Sequence, residues 1–187
     1  MKRMLFALLA ISLLTSPLWA DYKEALKKGD YKAVLSEITP LAQKGDAEAQ
    51  SILGTMYANG QGVPLSYKKA EEWIRKAAEQ GFAEAQYNLG VMYDQGFGVP
   101  QNFTEAAKWY QKAAEQGTAE AQYNLGLMHV EGKGVQQNYV QAYMWLSLAA
   151  ARGDREAIKA RDFITGKMTP AQIAEAQKLA SEWKPKE

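Results

Sequence analysis

The chain contains no cysteine and only one histidine, His129. The first absence excludes disulfides, a thiol nucleophile, cysteine-ligated metals and a lipid anchor on cysteine. It is compatible with an oxidising compartment. The second leaves a histidine metal site without further histidine or cysteine ligands, and no nucleophile accompanies His129 as a general base would require. Neither sign of charge is in excess. Lys and Arg number 22 against 21 Asp and Glu, a formal charge of +1. With Lys2 and Arg3 set aside, 20 basic residues face 21 acidic ones, so nucleic-acid binding has no electrostatic support. The apolar run at residues 4–14 is shorter than the roughly 20 residues that a membrane-spanning helix needs. Nothing in the sequence asks for a cofactor.

That run belongs to a segment with the order of a secretory leader. Lys2 and Arg3 come first, then the apolar stretch, then Pro17 and the small residue Ala20. Residues 1–20 are expected to be a signal peptide cut after Ala20, with no stable membrane insertion afterwards. The expected destination is the periplasm or the exterior.

The rest of the chain is organised by repetition. Ala47, Ala83 and Ala119 each open nearly the same sentence, at a spacing of 36 residues without gaps. About half the positions are identical between neighbouring copies. A period of this length marks a solenoid or array. It divides the chain into copies at 47–82, 83–118 and 119–154. A worn first copy or cap is expected at 21–46 and a C-terminal capping helix pair at 155–187.

Within each copy the pattern predicts two antiparallel helices. In the second, Ala85, Leu89, Met92 and Tyr93 recur at helical spacing before Gly96. Asn102 is placed to cap a second helix carrying Ala106, Trp109, Tyr110 and Ala113, which Gly117 ends. Gly90 and Ala106 are small where the two helices are expected to approach. No single hairpin buries both its faces, so the copies must stack. The chain is therefore read as all-α, an α-solenoid of helix pairs.

Other features are read as architecture. The glycine pairs 60/62, 96/98 and 132/134 lack the strand and the Gly-Lys-Ser/Thr ending of a phosphate loop. They are expected to be helix-to-helix turns. His129 occupies the place of Tyr57 and Tyr93 and is read as a substituted packing position. Glu71 and Glu72 are expected on a solvated face. Trp73, Trp109 and Trp145 recur with the frame and are expected in the core.

The recurring motif, AEAQYNLG followed by a paired-glycine turn and a second helix ending in KAAEQG, resembles the Sel-one-like repeat (SLR) family, relatives of the tetratricopeptide repeats. The resemblance is strong over 47–154 and weaker on either side. It implies a right-handed superhelix whose concave side is lined by the first helix of each pair. It implies adaptor and scaffold roles without catalytic residues, often in bacterial envelope processes or host contact.

On that resemblance, the positions that vary between copies along the first helices face the concave groove. They read Ser51, Tyr87 and Tyr123 in one column, then Thr55, Val91 and Leu127, then Ala58, Asp94 and Val130. Glu48, Glu84 and Glu120 repeat beside them, and Gln95 and Glu131 form an edge. The expected partner-binding set is Ser51, Thr55, Glu84, Tyr87, Val91, Asp94, Glu120, Tyr123, Leu127 and Glu131. Exposed tyrosines on a rigid scaffold make good anchors for a protein or peptide. The expected function is an exported protein-interaction scaffold. A peptidoglycan- or glycan-binding protein, or one that modifies the cell wall, is the alternative that the compartment and the aromatic content suggest.

Overall fold

The computed structural model describes residues 18–186, with side chains from Tyr22 onward. The leader reading at 1–17 lies outside the described residues. Ten helices and no strand occur among the described residues: α1 (Leu18–Lys28), α2 (Tyr31–Gln43), α3 (Ala47–Asn59), α4 (Tyr67–Glu79), α5 (Ala83–Gln95), α6 (Phe103–Glu115), α7 (Ala119–Glu131), α8 (Tyr139–Ala151), α9 (Arg155–Thr165) and α10 (Pro170–Glu182). None is long and apolar enough to cross a membrane.

Local chemistry sets the helix ends. Ser66, Asn102 and Asn138 each accept a hydrogen bond from a backbone N–H in the first turn of α4, α6 and α8, satisfying a donor that the helix itself leaves unpaired. Gly60, Gly96 and Gly132 close α3, α5 and α7 in the left-handed conformation, with their N–H groups on the carbonyls of Met56, Met92 and Met128. The turn then folds back. The N–H of Asn102 donates to the carbonyl of Tyr93 at 2.8 Å, and its counterparts in the other two copies do the same. The paired glycines are thus part of a helix-to-helix turn.

Helices α3 with α4, α5 with α6, and α7 with α8 are the most closely packed pairs, and each second helix packs on the first helix of the next pair. The result is a right-handed α-solenoid. Leu53, Leu89 and Leu125 are buried along its length, in clusters that combine alanines with larger apolar side chains. Gly90 lets α5 and α6 meet: a Cβ there would stand 2.6 Å from the Tyr110 ring. The neighbour is therefore Tyr110, one turn beyond the expected Ala106.

Trp109 and Trp145 are buried, but Trp73 is only partly so and carries Lys76 over its ring at 4.2 Å. The last two helices differ from the expected capping pair. Helix α10 starts with a capping box between Thr169 and Gln172, then packs on α8 rather than back along α9. Ala176 is buried with Ala142, Leu146 and Ile164, and Trp183 meets Trp145 edge-on at 6.4 Å.

Candidate peptide-binding groove

The first helices of the pairs, α3, α5 and α7, share one partly exposed face, and three cavities lie along it. The largest, about 660 Å³, opens between α5 and α7 and is lined by Glu84, Tyr87 and Asn88 with Gln116, Thr118 and Glu120. A second, about 250 Å³, takes Thr55 and Ala58 from α3, Asn88 and Val91 from α5, and the rings of Tyr67 and Phe97. A third, about 130 Å³, holds Asp94, Tyr110, Asn124, Leu127, Glu131 and Lys133. Asn88 lines both the first and the second, so these two adjoin.

Eight of the ten expected residues therefore line cavities. Glu84, Tyr87 and Glu120 meet in the first, Thr55 and Val91 in the second, and Asp94, Leu127 and Glu131 in the third. Tyr123 lines none of them. It is partly buried against the cluster of Ala157 and Ile164, and burial, then the charges of Asp154 and Glu156, raises its pKa.

Ser51 must be withdrawn from the set: it is 1% exposed. Helix α1 reaches α3 near this position. The hydroxyl of Tyr22 donates to Glu48 Oε1 at 2.7 Å, and Ser51 lies one turn further along α3. A tyrosine from the N-terminal cap thus engages the first glutamate of the column, three residues before Ser51.

Tyr87 is the best-framed aromatic. Its ring stands 5.9 Å from that of Tyr110, and the Asn124 side chain lies near enough to act on both hydroxyls. Burial raises the Tyr87 pKa, the Glu120 carboxylate adds to the rise, and the Asn124 hydrogen bond opposes it. The hydroxyl stays protonated and available at neutral pH. Asp94 is engaged by Lys133 Nζ at 3.3 Å, and the same ammonium lies 3.9 Å from the centre of the Phe103 ring.

Phe97 was not anticipated as a site residue. It stacks on Tyr67 of the preceding copy, 4.8 Å between centroids and 11° between planes, yet remains 41% exposed. The available signal was its place in the turn, where the other copies carry Gln61 and Lys133. Phe163 was also missed. It stands 36 residues after Leu127, on α9, and is 62% exposed.

The remaining titratable groups have structural partners. Glu71 is not a free solvated carboxylate, because Arg75 pairs with it and also donates to the Tyr93 hydroxyl at 2.9 Å. Glu72 is exposed as expected. His129 is partly buried with Nδ1 3.3 Å from the carbonyl oxygen of Gln136. Burial lowers its pKa and outweighs that carbonyl. No group of three or more metal-ligating side chains occurs among the described residues.

Stacked helix pairs with a constant frame and a variable face define a helical-repeat protein of the tetratricopeptide-like class. The Sel1 repeat model matches residues 47–82, 83–118 and 119–154, more than half the chain, and the protein belongs to the Sel1 repeat family. Proteins of this family are generally non-catalytic interaction scaffolds.

Among solved structures, a Sel1 repeat protein from Oxalobacter formigenes is 42% identical with a TM-score of 0.72, over 78% of this chain and 60% of that one. A protective antigen present in uropathogenic Escherichia coli strains, displaying an SLR fold, is 33% identical with a TM-score of 0.75, over 87% of this chain and 39% of that one. The chain thus spans less than two thirds of either relative. Cysteine rich protein B of Helicobacter pylori, at 23% identity and a TM-score of 0.51, shares the fold alone. No curated protein matches the chain.

Proposed function

We propose that the protein is an exported scaffold that binds a peptide or protein partner along the face of α3, α5 and α7. The carrying observation is that Thr55, Tyr87, Val91, Asp94 and Leu127, which vary between copies, line the cavities beside the repeated Glu84 and Glu120. The apolar frame residues that repeat unchanged, such as Leu89 and Gly90, are buried. A stack of this kind presents side chains on preformed helices, so little ordering is lost on binding. Affinity comes from covering Tyr87, Val91 and Leu127. The face carries no nucleophile with a base, and we read the protein as non-catalytic.

Export rests on the leader-like residues 1–20. Mass spectrometry of the protein from its native host is expected to show a mature chain starting at Asp21. For binding, a photo-crosslinking residue is placed at Val91 or Leu127, with the exposed Lys108 of α6 as the control. Envelope extract is expected to give discrete adducts from the first two positions and none from the third. Equal labelling from all three would overturn the groove.

A further inference from the structure

A column of four glutamates runs along the first helices, and its two middle members lack what its ends possess. Glu48, Glu84, Glu120 and Glu156 recur at 36-residue intervals, each in the first turn of α3, α5, α7 and α9. An acid in that turn is favoured by the helix dipole, which accounts for the column itself but not for the difference in partners. At one end, Glu48 accepts from the Tyr22 hydroxyl at 2.7 Å and lies 3.9 Å from Lys23 Nζ. At the other, Glu156 accepts from Lys159 Nζ at 2.7 Å. Glu84 and Glu120 have no ion pair or hydrogen bond among the described residues.

Lys159 stands 36 residues after Tyr123 and 72 after Tyr87. In the fourth copy the chain itself therefore supplies a cation to this column, from the position that Tyr87 holds in the second. In the middle of the column there is a cavity instead. Glu84 and Glu120 flank the 660 Å³ space, Tyr87 and Phe82 give it aromatic surface, and no lysine or arginine lines it. Its volume is that of a small-molecule site.

Resting on the scaffold reading above, we propose that this cavity is a socket for an arginine side chain of the partner peptide, with its stem against Tyr87 and its guanidinium between Glu84 and Glu120. Arginine fits better than lysine because its planar fork pairs with two carboxylates and stacks on an aromatic face. The effect of Glu120 on the Tyr87 hydroxyl places that carboxylate's field within the cavity.

The test uses N-acetyl-arginine methylamide and its neutral citrulline counterpart, titrated into isotope-labelled protein and followed by amide NMR shifts. The arginine probe is expected to give saturable shifts at Tyr87, Asn88, Thr118 and Glu120, at least about tenfold tighter than citrulline. Glu84→Gln with Glu120→Gln should abolish that preference, whereas Glu48→Gln with Glu156→Gln should retain it. Both glutamates are exposed, and an otherwise unchanged spectrum certifies the fold. Equal responses to the two probes, no saturable response, or a preference that survives Glu84→Gln with Glu120→Gln would each overturn the socket. If Leu127 still crosslinks its partner while arginine preference is absent, the socket falls and the scaffold reading stands.

Discussion

Gln116 donates its side-chain amide to Oε1 of Gln86 at 2.8 Å, tying the end of α6 to the start of α5. Gln86 in turn donates to the carbonyl of Ala78 at 3.2 Å. The copy before it has the same relay, with Gln80 on Gln50 at 2.7 Å and Gln50 on Ala42 at 3.1 Å. These buried amides measure the step from one repeat to the next. The third relay is incomplete. Gln122 donates to Ala114 at 3.1 Å, but its Oε1 is buried without a partner, because Arg152 stands where Gln80 and Gln116 stand.

Completing the relay should stabilise the protein. Arg152→Gln is expected to raise stability by about 1 kcal/mol, the worth of one intramolecular hydrogen bond offered to a buried acceptor. The converse change, Gln86→Leu, removes one bond to the Ala78 carbonyl, which keeps the one from the Gly81 N–H, and takes away the acceptor of Gln116, and should cost about 1 kcal/mol. Urea unfolding of both variants checks this. A less stable Arg152→Gln protein would mean that the arginine serves another contact at this step.

Two glycines separate backbone strain from steric exclusion. Gly81 has φ of +93°, and a Cβ there meets nothing within 4 Å. Gly98 has φ of +74°, and a Cβ there would run into the Tyr67 carbonyl of the preceding copy. Gly81→Ala should cost about 1–2 kcal/mol from the left-handed conformation alone. Gly98→Ala adds overpacking and should cost roughly 1–3 kcal/mol more. Thermal denaturation of the two variants gives the comparison, and equal losses would show that the turn yields at Gly98.

The parts of this molecule written in the sequence are those that depend on neighbours within one period. The frame of Leu89, Gly90, Gly96 and Asn102 specifies helix, close approach, stop and cap within about twenty residues. The candidate site depends on which copy stands next to which, and there the reading was partial. Ser51 occupies the column of Tyr87 but is buried, and no periodicity announces the reach of Tyr22 to Glu48 beside it. Phe97 was hidden because its position belongs to a turn, and its stacking partner, Tyr67, lies thirty residues earlier. The Arg75 that pairs with Glu71 stood four residues on within α4, in plain sight of the sequence, but its further contact to Tyr93 crosses from one copy to the next. Helix α10 had the composition of a cap, but composition does not say that α8, rather than α9, receives it.

The C-terminal segment gives a prediction in which packing and charge separate by pH. In the first two full copies a lysine lies over the repeated tryptophan, Lys76 on Trp73 at 4.2 Å and Lys112 on Trp109 at 4.1 Å. The third copy has Leu148 at the lysine position, and Trp183 from beyond α10 meets Trp145 instead. The chain then runs on to Lys186, whose N–H donates to the Glu115 carbonyl at 2.8 Å and whose Nζ donates to Glu115 Oε2 at 2.7 Å. Burial opposes ionisation of Glu115, but the hydrogen bonds from Lys186 and Gln111 outweigh it, so its carboxyl lies below the ordinary value of 4.5. A carboxyl depressed in the folded state adds stability above its unfolded pKa, and that stability is lost as pH falls through the folded value. Lys186→Ala should therefore cost less than about 1 kcal/mol at neutral pH, since Lys186 is largely exposed, and its difference from the parent should shrink as pH falls through the folded value of Glu115. Trp183→Ala should cost roughly 1–3 kcal/mol through lost burial and ring contact, and that cost should persist in acid. Urea titrations at about pH 7 and about pH 3.5 distinguish the two. A Trp183→Ala effect that faded with acid would mean that Lys186, not the indole, holds the segment in place.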